Sequence, residues 1–273
     1  MKNYLKYGIM GLIAAIVSAI VFKGKTEEVH EPSIRQYEEI VSSGILRAVT
    51  EYNSISFHVQ EDTLGGLHYE LLHAFAQAKG LKVEITPEMS TTKRIEGIQN
   101  GSYDVLANNV LISSDRNDSL LFTHPILQSK QVLIQRKPQS DHDSLYIHSL
   151  LDLAHKTIHL AKGSSSALRI RNLSNEIGDT IHIEEIEKYG PEQLIALVAG
   201  GEIDYTVCDE SIAKACIATL PQLDIETSVS FTQFYSWGVN PNNTVLLDSL
   251  NAWLATYQTT PDFQQLIQKY TSH

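Results

Sequence analysis

Two side chains of opposite charge stand where a small ionic solute would want them. Arg116 lies in a polar loop just after an apolar strand, and Asp209 ends another apolar strand nearly one hundred residues later. A guanidinium grips a carboxylate through a two-pronged fork, and a carboxylate takes an ammonium group. Together they would suit an α-amino acid or the end of a peptide. A third candidate is Gly163-Ser164-Ser165, which opens a helix. Its backbone N–H groups and hydroxyls make an anion site. Plainer roles compete with each. Arg116 sits between Asp115 and Asp118 and suits a surface ion pair; Asp209 and the serines suit helix caps. Asp104 and Asp204 read as turn or capping residues. Tyr52, Phe57, Tyr69 and Trp237 are candidates to line a cleft or to pack a core.

The elements that must position these groups follow from a repeat. IEGIQNGSYDVLANN (95–109) aligns without a gap on IALVAGGEIDYTVCD (195–209), matching Ile95 to Ile195, Gly101 to Gly201 and Asp104 to Asp204. Each copy reads as a helix stopped by glycine, an aspartate turn and a buried strand. They end on different polar residues, Asn109 and Asp209. Either the chain is duplicated, with two similar halves facing a cleft, or a common αβ unit arose twice.

Around the repeat, apolar periodicity predicts strands at Ile45–Thr50, Leu81–Thr86, Gln131–Arg136, Thr157–Ala161 and Gln233–Val239. Helices are predicted at Leu67–Lys79, with Leu71, Leu72, Phe75 and Ala78 on one face, at 91–99, and at Pro191–Ala199. A further helix is predicted with Pro32 in its first turn and Gly44 after its end. The βαβ order implies an α/β fold of two lobes, each a mostly parallel sheet flanked by helices. Expected boundaries are a membrane or signal segment at 1–25, a spacer and short helix at 26–43, a first lobe at 44–132 plus 229–273, and an inserted second lobe at 133–228. In such sheets ligands sit beyond the carboxyl ends of the strands. Those ends are Glu51–Ser54, Asn108–Leu111, Lys162–Ser166 and Cys208–Glu210.

Composition excludes other classes. The formal net charge is -11, against nucleic acid, which needs a cationic face. Cys208 and Cys216 form no CxxC and read as buried free thiols, with a disulfide between them as the lesser alternative in an oxidising compartment, and the scattered histidines show no metal-ligand spacing, so neither cofactor nor metal is expected. Tyr7–Phe22 carries no charge and is flanked by Lys2, Lys6, Lys23 and Lys25. It reads as an uncleaved anchor, or as a signal peptide, with the body exported to the periplasmic face.

SGILRAV, GGLHYELLHAFAQAKGLKVEI, IEGIQNGSYDVLANNVLISSDR, LFTHP and GGEIDYTVCDES, in this order, resemble the extracytoplasmic solute-binding proteins of family 3, with the type II periplasmic binding fold. AKGSSS, GEIDYTVCD and PQLDIETSVS resemble the branch formed by the non-catalytic domain of membrane-bound lytic transglycosylase F. The resemblance implies carboxylate binding by Arg116, amine binding by Asp209, a ligand loop at Gly163 and Ser164, and a side-chain reader at Glu51. Asn109 stands where the family has glycine, and Leu111 where it has a ligand-binding threonine. The chain stops at His273, where a transglycosylase domain would begin, so no catalytic glutamate is assigned.

The resulting expectation is a non-enzymatic, membrane-tethered binding protein for a small zwitterion, an amino acid or cell-wall peptide. Its ligand-binding set is Arg116, Asp209, Gly163, Ser164, Ser165, Glu51, Asn109, Tyr52 and Tyr69. Its partners would be an ABC permease, for transport, or cell-wall enzymes, for sensing. Two other classes compete. One is a partner-binding module without a ligand. The other is a cyclohexadienyl dehydratase-like enzyme, for which Glu51 or His124 would have to act as the acid.

Overall fold

The computed structural model describes residues 33–112, 119–140 and 143–271, and the account below concerns the unit that begins at Ile34. The first helix, α1 (Tyr37–Ser43), is capped at its start by Gln36 and Glu39 in a reciprocal box and at its end by left-handed Gly44. The proline expected in its first turn lies outside the described residues. The helix begins instead where the Glu39 carboxylate accepts from the Gln36 N–H at 2.7 Å and the Gln36 carbonyl accepts from the Glu39 N–H at 3.0 Å. The anchor read at Tyr7–Phe22 also lies outside the described residues, among which no helix is long and apolar enough to cross a membrane.

Two mixed sheets form the frame. The first runs β4 (Lys82–Pro87), β1 (Ile45–Thr50), β5 (Val105–Leu111), β13 (Gln233–Val239) and β6 (Leu121–Phe122), with β7 (Leu127–Ser129) also on β13. The second runs β10 (His182–Ile186), β9 (Thr157–Ala161), β11 (Thr206–Asp209), β8 (Gln131–Arg136) and β12 (Leu223–Asp224). The expectation of mostly parallel sheets needs correction. Parallel pairing is confined to β4–β1–β5 and β10–β9–β11; β13 lies antiparallel to β5, and β8 antiparallel to β11. β8 enters the second sheet directly from the first, without a crossover helix, and β13 returns the same way. A strand fed so meets its neighbour head to tail. A short hairpin, β2 (His58–Gln60) with β3 (Thr63–Gly65), stands apart; its alternation is too brief and polar to read from sequence.

α2 (Leu67–Lys79) covers the first sheet with Leu67, Leu71, Leu72, Phe75 and Ala76, all buried. Ala78, expected on that face, is exposed in the last turn. Each large apolar side chain contributes about 1.5–3 kcal/mol of burial. α2 begins where Gly66, with φ of 128°, passes so close to Ser56 that a Cβ would stand 2.4 Å from its carbonyl oxygen. The last helix, α8 (Pro261–Thr271), is fastened to this same turn. The Gly66 N–H donates to the Tyr270 hydroxyl (2.8 Å), which donates to Glu70 (2.6 Å), and Lys269 reaches Glu70 at 2.7 Å.

α3 (Thr91–Gln99) and β5 contain the first copy of the repeat, and α5 (Pro191–Gly200) and β11 contain the second. Each aspartate turn is tied by an arginine from a neighbouring strand. Arg47 on β1 and Arg35 both bind Asp104, and Arg136 on β8 binds Asp204. These aspartates were expected to serve as turn or capping residues; the arginine partners lie too far along the chain to read locally. Cys208 is buried and Cys216 half-buried, both as free thiols.

Candidate functional site

The carboxyl ends of β1, β5, β9 and β11 converge on one cavity of about 100 Å³. Its walls come from both sheets. Glu51, Arg94, Asn108 and Asn109 stand on one side, and Gly163 to Ser166, Cys208 and Asp209 on the other, with Gln131 and Tyr235 on the crossing strands. A water occupies roughly 10–15 Å³ in this measure, so the space suits a solute of a few heavy atoms. Contacts outside the cavity link the two sides. The Ser54 N–H donates to Glu192 Oε1 at 2.8 Å, and Gly163 faces Thr91.

Asp209 is buried at the N-terminus of α6 (Glu210–Ile217). Its Oδ1 accepts from the Ser211 N–H at 2.9 Å and from the Ser211 hydroxyl, while Oδ2 makes no hydrogen bond of ordinary length among the described residues, the Ser129 and Tyr235 hydroxyls being its nearest polar neighbours. Burial pushes its carboxyl above the usual range, against the opposing pull of the Ser211 and Ser129 hydroxyls. The helix-cap and ligand readings of Asp209 are therefore compatible, because each uses a different oxygen. Tyr235 beside it is likewise raised, by burial and then by the Asp209 charge.

Ser164 caps α4 (Ser165–Ile177) by position, yet its hydroxyl makes no cap bond and is buried without a partner among the described residues. Gly163 takes φ of 74° to turn the chain into that helix, and its N–H donates to Glu185 at 3.1 Å. Ser165 accepts from Gln131 Nε2 at 3.3 Å, which leaves Gln131 Oε1 unpartnered.

Opposite them, Glu51 is engaged on both oxygens, by Asn53 at 3.0 Å and by Arg94 at 3.5 Å. Arg94 is 3% exposed, and it also donates to the carbonyls of Glu88 and Met89 and to Thr91. Sequence reading passed over Arg94, since TTKR at a helix start resembles a solvated charge run. It was legible only in that Arg94 lies four residues before Ile98 and so shares that residue's helix face. Asn109 is held through Oδ1 by His68 at 2.8 Å, with its Nδ2 buried and unpartnered.

The cavity thus gathers Glu51, Asn109, Gly163, Ser164, Ser165 and Asp209. Tyr52 and Tyr69 stand outside it, packed edge-on and tilted against Phe57 at 6.1 and 5.8 Å. Arg116 lies outside the described residues. Six lining atoms lack a hydrogen-bond partner among the described residues. Asn108 Oδ1, Gln131 Oε1 and Asp209 Oδ2 accept, Asn109 Nδ2 and Arg94 Nε donate, and Ser164 Oγ can do either. Buried polar atoms are ordinarily satisfied, so such a concentration marks a place that awaits a polar occupant. The acid, Asp209, stands on one wall and the donors of Asn109 and Arg94 on the other, beside the acceptor of Asn108, an arrangement complementary to a solute with a cationic and an anionic end.

Comparison with known proteins fits this geometry. The profile of the bacterial extracellular solute-binding proteins, family 3, matches residues 46–273. A relative from Photobacterium profundum named membrane-bound lytic murein transglycosylase F is 28% identical over 251 residues. That match covers 89% of this chain and 47% of the relative, so the chain spans about half the length of the curated relative. Among solved structures, an ancestral arginine-binding protein bound to arginine superposes with a TM-score of 0.73 at 24% identity, covering 83% of this chain and 98% of that one. Holo ArgBP from T. maritima gives 0.71 at 23%, covering 85% and 98%.

Proposed function

The chain belongs to the bacterial extracellular solute-binding proteins of family 3, and we propose that it captures a small zwitterion, an amino acid or the end of a cell-wall peptide, in the cavity between its sheets. The observation that carries this is the set of six unpartnered polar atoms lining one cavity. Asp209 takes the ammonium group, with Gln131 and Asn108 as further acceptors. Arg116 and the Ser164 hydroxyl take the carboxylate, with the Gly163 turn placing Ser164. Two lobes, 44–132 with 229–273 and 133–228, close over the solute, and the energy comes from charge pairing and burial without a covalent step. Glu51, tied to Arg94, shapes the side-chain end of the site.

The segment at Tyr7–Phe22 tethers the body to the membrane on the periplasmic side. The likeness to membrane-bound transglycosylases favours ligand sensing beside cell-wall enzymes over delivery to an ABC permease. The test is thermal denaturation of the full chain against the amino acids and short muropeptides. A native-state ligand raises the melting temperature. A rise with at least one zwitterion is expected; no shift across the panel overturns the proposal.

A further inference from the structure

Asn109 stands in an apolar strand with its amide at the cavity, and what holds that amide begins far away in the chain. The Trp237 indole N–H donates to His68 Nδ1 at 2.9 Å, and His68 Nε2 lies 2.8 Å from Asn109 Oδ1. Indole is a donor only, so His68 Nδ1 must accept. A neutral imidazole has one acceptor and one N–H, so Nε2 carries the hydrogen and donates to Asn109. Asn109 therefore turns Oδ1 to the histidine and Nδ2, with two hydrogens, to the cavity. All three residues are held by the core. Trp237 is fully buried in β13 and His68 lies on the apolar face of α2. The imidazole stays neutral, since burial lowers its pKa to about 4.

We propose that His68 is a positioning residue which, fixed by Trp237, aims the Asn109 amide into the cavity as a donor, so that Asn109 recognises an oxygen acceptor of the ligand. The ligand half of this rests on the zwitterion reading; the hydrogen-bond relay stands without it. Asn109 then supplies from a side chain a donor that selects against ligands presenting a cation at that point.

The experiment has two arms on the full chain. The first reads the His68 tautomer from long-range ¹H–¹⁵N spectra of histidine-labelled protein at pH 7. The Nε2–H form is expected, and the Nδ1–H form overturns the relay. The second measures binding of L-arginine, L-lysine, L-glutamine, L-alanine and L-serine by calorimetry to the wild type and five variants. With whichever probe binds, Asn109→Ala is expected to lose up to about tenfold, the worth of one neutral hydrogen bond, and Asn109→Asp more. His68→Leu should match Asn109→Ala, and the double variant should be no weaker than Asn109→Ala alone. His68→Gln should bind like wild type, because its amide can accept from the indole and donate to Asn109. Wild-type binding by His68→Leu, or additive losses in the double variant, would overturn the proposal. If His68→Leu does not fold, His68→Gln and the tautomer decide. If no probe binds, the zwitterion reading loses its support, and the tautomer alone decides the relay.

Discussion

The units at 95–109 and 195–209 share a helix, a glycine turn, an arginine-bound aspartate and a buried strand, but they bury and finish differently. The Asp104 side chain is 2% exposed and shared by two arginines, whereas Asp204 is 45% exposed with one. The second helix also runs one residue further, to Gly200, before its left-handed glycine. Asn109 is pinned by a histidine and turns donors to the cavity, while Asp209 is pinned by a helix N-terminus and turns an acceptor to it. Two nearly equivalent backbones thus deliver opposite hydrogen-bond polarity to one space. An asymmetric solute can be read by a pseudo-symmetric frame when the last residues of its two units differ in hydrogen-bond polarity.

The largest expected effect would break the structural side of that comparison. Asp104→Ala leaves two arginines around an empty buried site and should cost about 3 kcal/mol, while Asp204→Ala should cost under about 1 kcal/mol. Urea denaturation of both variants checks this, and equal losses would erase the distinction. Next, Asp209→Asn keeps a competent helix cap but removes the charge. It should weaken binding of the preferred amino acid about a hundredfold with little change in melting temperature; calorimetry would show a loss below threefold if Asp209 were only a cap.

The third concerns pH. Folded His68 titrates near 4 and an unfolded imidazole near 6.5. Between these values the unfolded chain binds more protons, so stability rises with pH through the window and falls on acidification. About 2 kcal/mol should be lost between pH 7.5 and 5. The raised Asp209 carboxyl works in the opposite sense, so the readout is wild type minus His68→Gln, whose own denaturation midpoint should lack this slope. A smaller effect sharpens the picture of closure. Glu192→Ala removes the acceptor for the Ser54 N–H between the two sides and should weaken binding by threefold or less, visible as a faster dissociation rate.

Much of the frame was legible because apolar periodicity is a local property. β1, β8, β9 and β13 begin and end where their apolar runs do, and α2 spans the stretch that its periodicity marks. The antiparallel lie of β8 and β13 was not legible, since it depends on the path between sheets rather than on either strand. In the site, the strand-end rule placed Glu51, Asn109, Ser164 and Asp209 at one cavity, whereas Tyr52 and Tyr69, named as aromatic candidates for the cleft, prefer a nearby aromatic cluster. His68 was not singled out among the scattered histidines, and its partner Trp237 is 169 positions away. The available signal was VLANNVL. Two amides in a buried strand need partners, and a histidine on a neighbouring apolar helix is a fitting one.

The fastening of α8 to the first turn of α2 has a mechanical consequence. Tyr270 holds the Gly66 N–H, and two residues further along the same turn His68 aims Asn109. Any displacement of α8 is therefore passed first to the turn that carries His68. Should occupancy of the cavity respond to such a displacement, the response is reciprocal: a bound solute would alter the hold on α8 by the same factor.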